Sequence, residues 1–174
     1  MSARYRVRQF FNAMLARVSP DDLRQVDAIL PPGAQGLFRK MSLPDQRHSL
    51  NVMDTLSRQG HTEPDLLAAA LLHDVGKSAA WITPVHRTII VLTRRFAPVI
   101  LAWLSRGEPR RGAWRKPFVI HRQHPEISAQ WAAQARCSAL TVLLIRQHQE
   151  PLLHAPQSEQ ERLLLALRQA DGVN

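Results

Sequence analysis

A single cysteine, Cys137, stands in a chain of 174 residues. One thiol excludes an internal disulfide framework and any zinc site built on several cysteines, and it suits a reducing compartment. No uncharged apolar run approaches the ~18 residues needed to span a bilayer. The greasiest stretch, 88–104, is interrupted by Arg94, Arg95 and Pro98. Acids are scarce too: 14 Asp and Glu face 23 Lys and Arg, a net charge of +9, and only three of the bases are lysines. The seven Gly and twelve Pro follow no collagen-like period. The remainder is 45% hydrophobic against 21% charged, a composition that buries a core and excludes wholesale disorder. The length suits one domain rather than two. These quantities predict a soluble, basic, cytoplasmic protein and leave its chemistry open.

Hydrophobic residues recur at three- and four-residue spacing almost throughout, with no alternating strand pattern. Start signals repeat: Ser19-Pro20-Asp21-Asp22, Ser42-Leu43-Pro44-Asp45, Thr62-Glu63-Pro64-Asp65 and Ser158-Glu159-Gln160-Glu161 each offer a hydroxyl cap with an acid three residues on. Gly60, Gly76 and Gly107 each follow a helical run, where a left-handed terminator is expected. The pattern predicts helices near 3–17, 20–30, 34–41, 43–59, 63–75, 85–106, 124–136, 139–149 and 158–171, with a Gly- and Pro-rich loop over 106–117. The fold class is all-α, a single-domain bundle of short helices.

One predicted helix carries the run Leu66-Leu67-Ala68-Ala69-Ala70-Leu71-Leu72, apolar nearly all round and therefore buried. It ends in His73-Asp74-Val75-Gly76-Lys77, an imidazole and a carboxylate side by side at the end of a core helix. Such groups are costly to bury unless compensated, and a divalent cation that accepts nitrogen and oxygen together compensates both. Further ligands have to come from other helices. His48 lies on the preceding one, His124 opens the run His124-Pro125-Glu126-Ile127, His148 ends the apolar segment beginning at Leu140, and Asp171 closes another apolar stretch. His121, three residues before His124, competes for the same role. Glu126 and Glu150 are candidate hydrogen-bond partners that fix imidazole tautomers, with helix capping the alternative for Glu126. Arg47 stands next to His48 and is either a surface arginine or a phosphate contact. His61, His86 and His154 read as ordinary surface residues.

The order His48, His73-Asp74 and Asp171, with His73-Asp74-Val75-Gly76-Lys77 standing as an HD-x-G-K signature, resembles the HD superfamily of metal-dependent phosphohydrolases over about residues 43–174. The elements at His124 and His148 resemble the branch that binds a second metal. The Gly-Tyr-Pro motif of the cyclic-di-GMP phosphodiesterases is missing, since the only tyrosine is Tyr5. The HD domains of membrane-bound cyclic-di-AMP phosphodiesterases are more similar.

The resemblance implies one or two divalent metals, Fe or Mn with Co, Ni, Zn or Mg as alternatives. His48, His73, Asp74 and Asp171 would hold the first metal; His124 and His148 would hold the second, bridged by Asp74. It implies hydrolysis of a phosphate ester of a nucleotide or cyclic dinucleotide by metal-activated water. Asp74 and Lys77 would be the catalytic pair and Lys77 the residue that meets phosphate; the plain alternative for Lys77 is a solvated lysine at a helix C-terminus. The competing reading is a non-catalytic module of the same fold that holds an anionic ligand.

Residues 1–42 read as a helical extension packed on the 43–174 domain, which carries a basic insert at about 85–122. From Val85 to Arg122 nine Lys and Arg face Glu108 alone, interleaved with Trp103, Trp114 and many aliphatic residues. A nucleotide, nucleic acid or anionic membrane surface suits such a segment; a hairpin packed on the core with solvated arginines is the plainer reading. The stretch 1–18, with Arg4, Arg6, Arg8 and Arg17, reads as a packing helix, with a presequence or membrane-surface helix as the alternative.

Overall fold

Helix starts follow their local chemistry. A computed structural model describes residues 17–108, 114–151 and 153–174; the helix expected over 3–17 falls, but for Arg17, outside them. Ser19 caps α1 (Pro20–Ile29) in a reciprocal box with Asp22. After α2 (Pro32–Lys40), Ser42 caps α3 (Leu43–Arg58) by accepting from the Asp45 amide. The cap of α4 (Pro64–Leu72) is Glu63 rather than Thr62, and its side chain makes no capping bond. A 3-10 helix (Val75–Ala79) follows, then α5 (Pro84–Phe96) and α6 (Pro98–Leu104). α7 (Lys116–Gln134), α8 (Ala139–Gln147, capped by Ser138) and α9 (Glu159–Val173, boxed by Ser158 and Glu161) complete the described residues, which contain no strand.

Three expectations are corrected. The single helix expected over 85–106 is two, because Pro98 lacks the N–H that a continuous helix needs and Ala97 leaves helical geometry (φ −145°, ψ 60°). The helix expected to open at His124 begins at Lys116, so Pro125 sits inside it. Gly60 (φ 91°) and Gly107 (φ 94°) are left-handed terminators, but Gly76 is not. The latter is glycine because the backbone approaches so closely: a Cβ there would lie 2.5 Å from the His124 carbonyl oxygen and 2.9 Å from Ser128 Oγ. The Gly76 amide donates to that same Ser128 hydroxyl at 2.8 Å, pinning the 3-10 helix against α7.

α4 is the axis of the bundle, packed by α1, α2, α3, α8 and α9. Its Leu66, Leu71 and Leu72 are wholly buried, each worth about 1.5–3 kcal/mol of burial. Val26, Leu30, Ala34 and Phe38 from α1 and α2 enter this same core, so the described residues before 43 share it with the rest. The α5–α6 hairpin does not. A separate cluster of Ile90, Leu104 and Phe118 holds it to the first turns of α7. One polar tie runs back from the hairpin to α3, where Arg87 donates two bonds, of 2.8 and 2.7 Å, to the buried Asp45.

Candidate metal centre

Two helices end, and one carries a proline, where the buried histidines lie. His73 is the C-cap of α4 and His148 the C-cap of α8. The last carbonyls of a helix have no i+4 amide to bond. His73 Nδ1 donates to one of them, Ala70 O at 2.9 Å, and His148 Nδ1 donates to Ile145 O at 2.7 Å. His124 lies in mid-helix, where no carbonyl is ordinarily free. Pro125, however, has no N–H for the carbonyl four residues back, and that carbonyl is His121 O. His124 Nδ1 takes it at 2.6 Å. Three histidines thus spend Nδ1 on the carbonyl three residues earlier, which fixes each ring and turns each Nε2 inward.

The inward atoms converge on Asp74. His124 Nε2 is 3.1 Å from Asp74 Oδ1, and the Nε2 atoms of His73 and His48 are 3.6 and 3.8 Å from Asp74 Oδ2. Asp171 closes the other side: His48 Nε2 is 2.9 Å from its Oδ1 and His73 Nε2 3.6 Å. Ring centroids run His48–His73 5.4 Å, His73–His148 5.0 Å and His148–His124 5.3 Å. His73, Asp74, His124 and His148 are buried. Among the described residues, the Nε2 atoms of His73 and His148 have no hydrogen-bond partner, though both are wholly enclosed. A buried polar atom without a hydrogen bond is costly, and two such ring nitrogens grouped with the aspartates fit a cation. Ligand atoms within 4.8 Å of one another form the groups His48–His73–Asp74, His73–His148–Asp171 and Asp74–His124–His148. These His and Asp groups could hold one metal ion or more, and the nitrogen and oxygen donors suit a borderline divalent ion.

Opposite charges crowd together at the centre. Burial opposes ionisation of Asp74, but Lys77, His73 and His124 outweigh it and hold the carboxyl well below the usual range. Asp171, also opposed by burial, is held low by His48 and His73. Burial works against a proton on His73, yet the two aspartates raise it to about 9. Burial and the neighbouring His73 push His148 down to about 3. The Lys77 ammonium takes Asp74 Oδ2.

All six expected ligands therefore meet. His121 does not join them: its ring stacks on His124 with centroids 5.8 Å apart, and its carbonyl, not its imidazole, serves the site. Glu126 does not orient an imidazole either; it accepts from Arg146 at 2.8 Å and Gln130 at 3.2 Å on the exposed side of α7. Glu150 is exposed beyond α8. Arg47 bonds to Asp22, Asn51 and Asp54 while lining the approach. His86 proves to be part of the Thr83 capping box.

A cleft of about 360 Å³ leads to the centre, lined by Arg47, His48, Asn51, Asp74, Lys77 and Arg87 among others. Asn51 and Arg87 were not singled out in the sequence; Arg87 was legible only as one of many bases. A depression of about 420 Å³ beside His154, Pro156, Leu165 and Arg168 contains none of the six ligands. Compared with known protein families, with characterised proteins and with solved structures, the chain finds no match.

Proposed function

We propose that the protein is a metal-dependent phosphohydrolase of the HD type, hydrolysing a phosphate ester or phosphodiester of a nucleotide or cyclic dinucleotide. The observation that carries this reading is the pair of enclosed, unpartnered Nε2 atoms of His73 and His148 beside a carboxylate that both halves of the cluster share. His48, His73, Asp74 and Asp171 would hold one ion, and Asp74, His124 and His148 a second. A divalent metal bound there supplies a lowered water pKa and neutralises charge developing on phosphoryl oxygens.

The chain's own residues do the rest. The backbone carbonyls of Ala70, His121 and Ile145 fix the three imidazoles, so little reorganisation is needed. Lys77 reaches Asp74 from the cleft side, where its ammonium would also meet a phosphate oxygen of a bound substrate. Arg47 and Arg87, at the cleft wall, add positive potential for an anionic substrate.

The test is elemental analysis of protein purified without chelator, with hydrolysis of bis(p-nitrophenyl) phosphate and p-nitrophenyl phosphate as readouts. About two equivalents of a transition metal, falling to about one in His124→Ala/His148→Ala, with hydrolysis lost on chelation, is the expected result. One equivalent untouched by the double substitution confines the site to His48, His73, Asp74 and Asp171. No metal after reconstitution and no chelator-sensitive hydrolysis overturns the proposal in favour of a non-catalytic anion-binding module.

A further inference from the structure

Among the described residues twelve large apolar side chains are exposed, and nine of these lie between Trp81 and Trp114. They are not scattered there. Along α5, Val85, Leu92 and Phe96 fall on one outward stripe, opposite the buried Ile90. On α6, Val99, Ile100 and Trp103 are exposed, Trp103 lying one turn from both of the others, while Leu104 at the border of this face is buried. Phe96 is 76% exposed and Val99 80%, and only Ala97 and Pro98 separate them, so the two faces meet at the tip of the hairpin.

Along the hairpin itself the charge is of one sign. No acid occurs from Val75 to Gly107, while Arg94 and Arg95 are exposed beside the tip and Arg106 past the far end of α6, next to the exposed Glu108. The Arg95 guanidinium lies over the Phe96 ring at 5.5 Å, an arrangement that lets an arginine accompany an aromatic into an interface. The hairpin rests on its own small cluster rather than on the bundle core, so its outer face is not needed to cover that core.

We infer that the α5–α6 hairpin is a docking element for an anionic lipid surface. Apolar side chains at the tip would enter the acyl boundary while the arginines meet phosphate headgroups, as in helices that lie in the interface plane. No helix among the described residues is long and apolar enough to cross a membrane, so this contact would be peripheral. A second copy of the chain fits less well, because a two-fold contact sets these arginines against their own copies. Of the exposed acids, Asp21, Asp27, Glu126 and Glu159 already pair within the chain, with Arg24, Arg39, Arg146 and Arg162, which leaves Glu108 and Glu150 as isolated charges rather than an acidic face. A nucleic acid would use the arginines and stack on Phe96 and Trp103, but would leave the aliphatic Leu92, Val99 and Ile100 between them unmatched.

The experiment is co-sedimentation of the full chain with vesicles of pure phosphatidylcholine or of an equimolar mixture with phosphatidylglycerol, at low and high salt. Binding to the anionic vesicles alone, weakened by salt and accompanied by a blue shift in tryptophan emission, is expected. Arg94→Gln/Arg95→Gln should weaken it by about 25-fold, each cation near such a surface being worth about fivefold. Phe96→Ser/Val99→Ser should weaken it at least about tenfold, with metal content and thermal midpoint unchanged in both variants.

Equal, negligible binding to both vesicles overturns the inference. So does concentration-dependent dimerisation without vesicles that Phe96→Ser/Val99→Ser abolishes, which would make a second copy the occupant. Tight, salt-sensitive binding of a single-stranded oligonucleotide that the same double substitution leaves intact would make nucleic acid the occupant. None of these readouts depends on the metal centre, so this inference and the proposed activity fail separately.

Discussion

His124 Nε2 and Asp74 Oδ1 lie 3.1 Å apart, although the two residues stand fifty positions apart in the chain. Asp74 offers its second oxygen to Lys77, so this single carboxylate is contacted from both halves of the cluster. Asp74→Asn keeps the side chain's shape and removes its charge. We expect metal to be lost from both halves, and hydrolysis to fall by more than the roughly 10–100-fold typical of residues that only support a ligand. Far-ultraviolet circular dichroism should be unchanged. Full metal and full turnover in this variant would sink the assignment.

Pro125 gives a prediction in which fold and site respond in opposite directions. Pro125→Ala restores an amide that competes with His124 Nδ1 for His121 O. Proline inside a helix costs about 3 kcal/mol, so the variant should melt higher. Loss of the bond that orients His124 should weaken the metal of that half by about 10–100-fold. Calorimetry and metal titration on the same sample check both signs; a variant that melts higher and binds metal equally well refutes the orienting role.

Gly76→Ala should do harm without touching any ligand atom. Its methyl would meet backbone oxygen at His124 and the Ser128 amide at 3.0 Å, neither of which can swing aside. Overpacking of this kind costs about 1–3 kcal/mol. Since the element that must yield is α7 at His124, occupancy of the Asp74–His124–His148 half should fall more than that of the other. Chemical denaturation and metal analysis measure the two effects.

Lys77 and a metal ion compete for Asp74. Lys77→Met removes the competitor, so metal affinity should rise, by about tenfold or more for a cation this close. Hydrolysis should nevertheless decline, because the group assigned to the substrate phosphate is gone. Isothermal titration with Mn²⁺ together with steady-state kinetics separates these effects. A fall in both would mean that Lys77 supports the site's structure instead.

Proton linkage supplies a fifth expectation, for the metal-free protein. His73 has a folded pKa of about 9, raised from an ordinary 6.5. Its contribution to stability is therefore fully present below pH 6.5 and is lost as pH rises through 9. His148 behaves oppositely: with a folded value near 3, its contribution is present above pH 6.5 and is lost as pH falls toward 3. Thermal midpoints of chelated protein should decline on both the alkaline and the acid side. A metal ligated by His73 must displace its proton, so apparent affinity should climb about tenfold per pH unit below 9. A flat profile would exclude His73 as a ligand.

What could be read from the sequence was local. Ser19, Ser42 and Ser158 announce their helices because capping chemistry is complete within four residues. Gly60 and Gly107 announce stops because a positive φ is a property of one residue. The all-α class follows from the same periodicity; His73, Asp74, His148 and Asp171 stood out as polar groups ending apolar stretches, whereas His48 and His124 joined them through the family resemblance. Gly76 was misread because its reason is a neighbour fifty residues away. Pro125 was misread because a proline in a first turn and a proline in mid-helix look alike until the length of the helix is known. Arg136 ends α7 with a left-handed φ of 62°, which its residue type does not advertise. Glu126 turned outward because Arg146 waits on α8, a pairing invisible along one strand of text.

The two C-cap histidines have an electrostatic consequence. α4 and α8 both stop at the cluster, so the negative poles of two macrodipoles converge there. That field favours a cation over and above the carboxylates, and it opposes a phosphate for as long as no cation is bound. Under the proposed function the backbone itself would set an order of events: the ion first, the anionic substrate only after it.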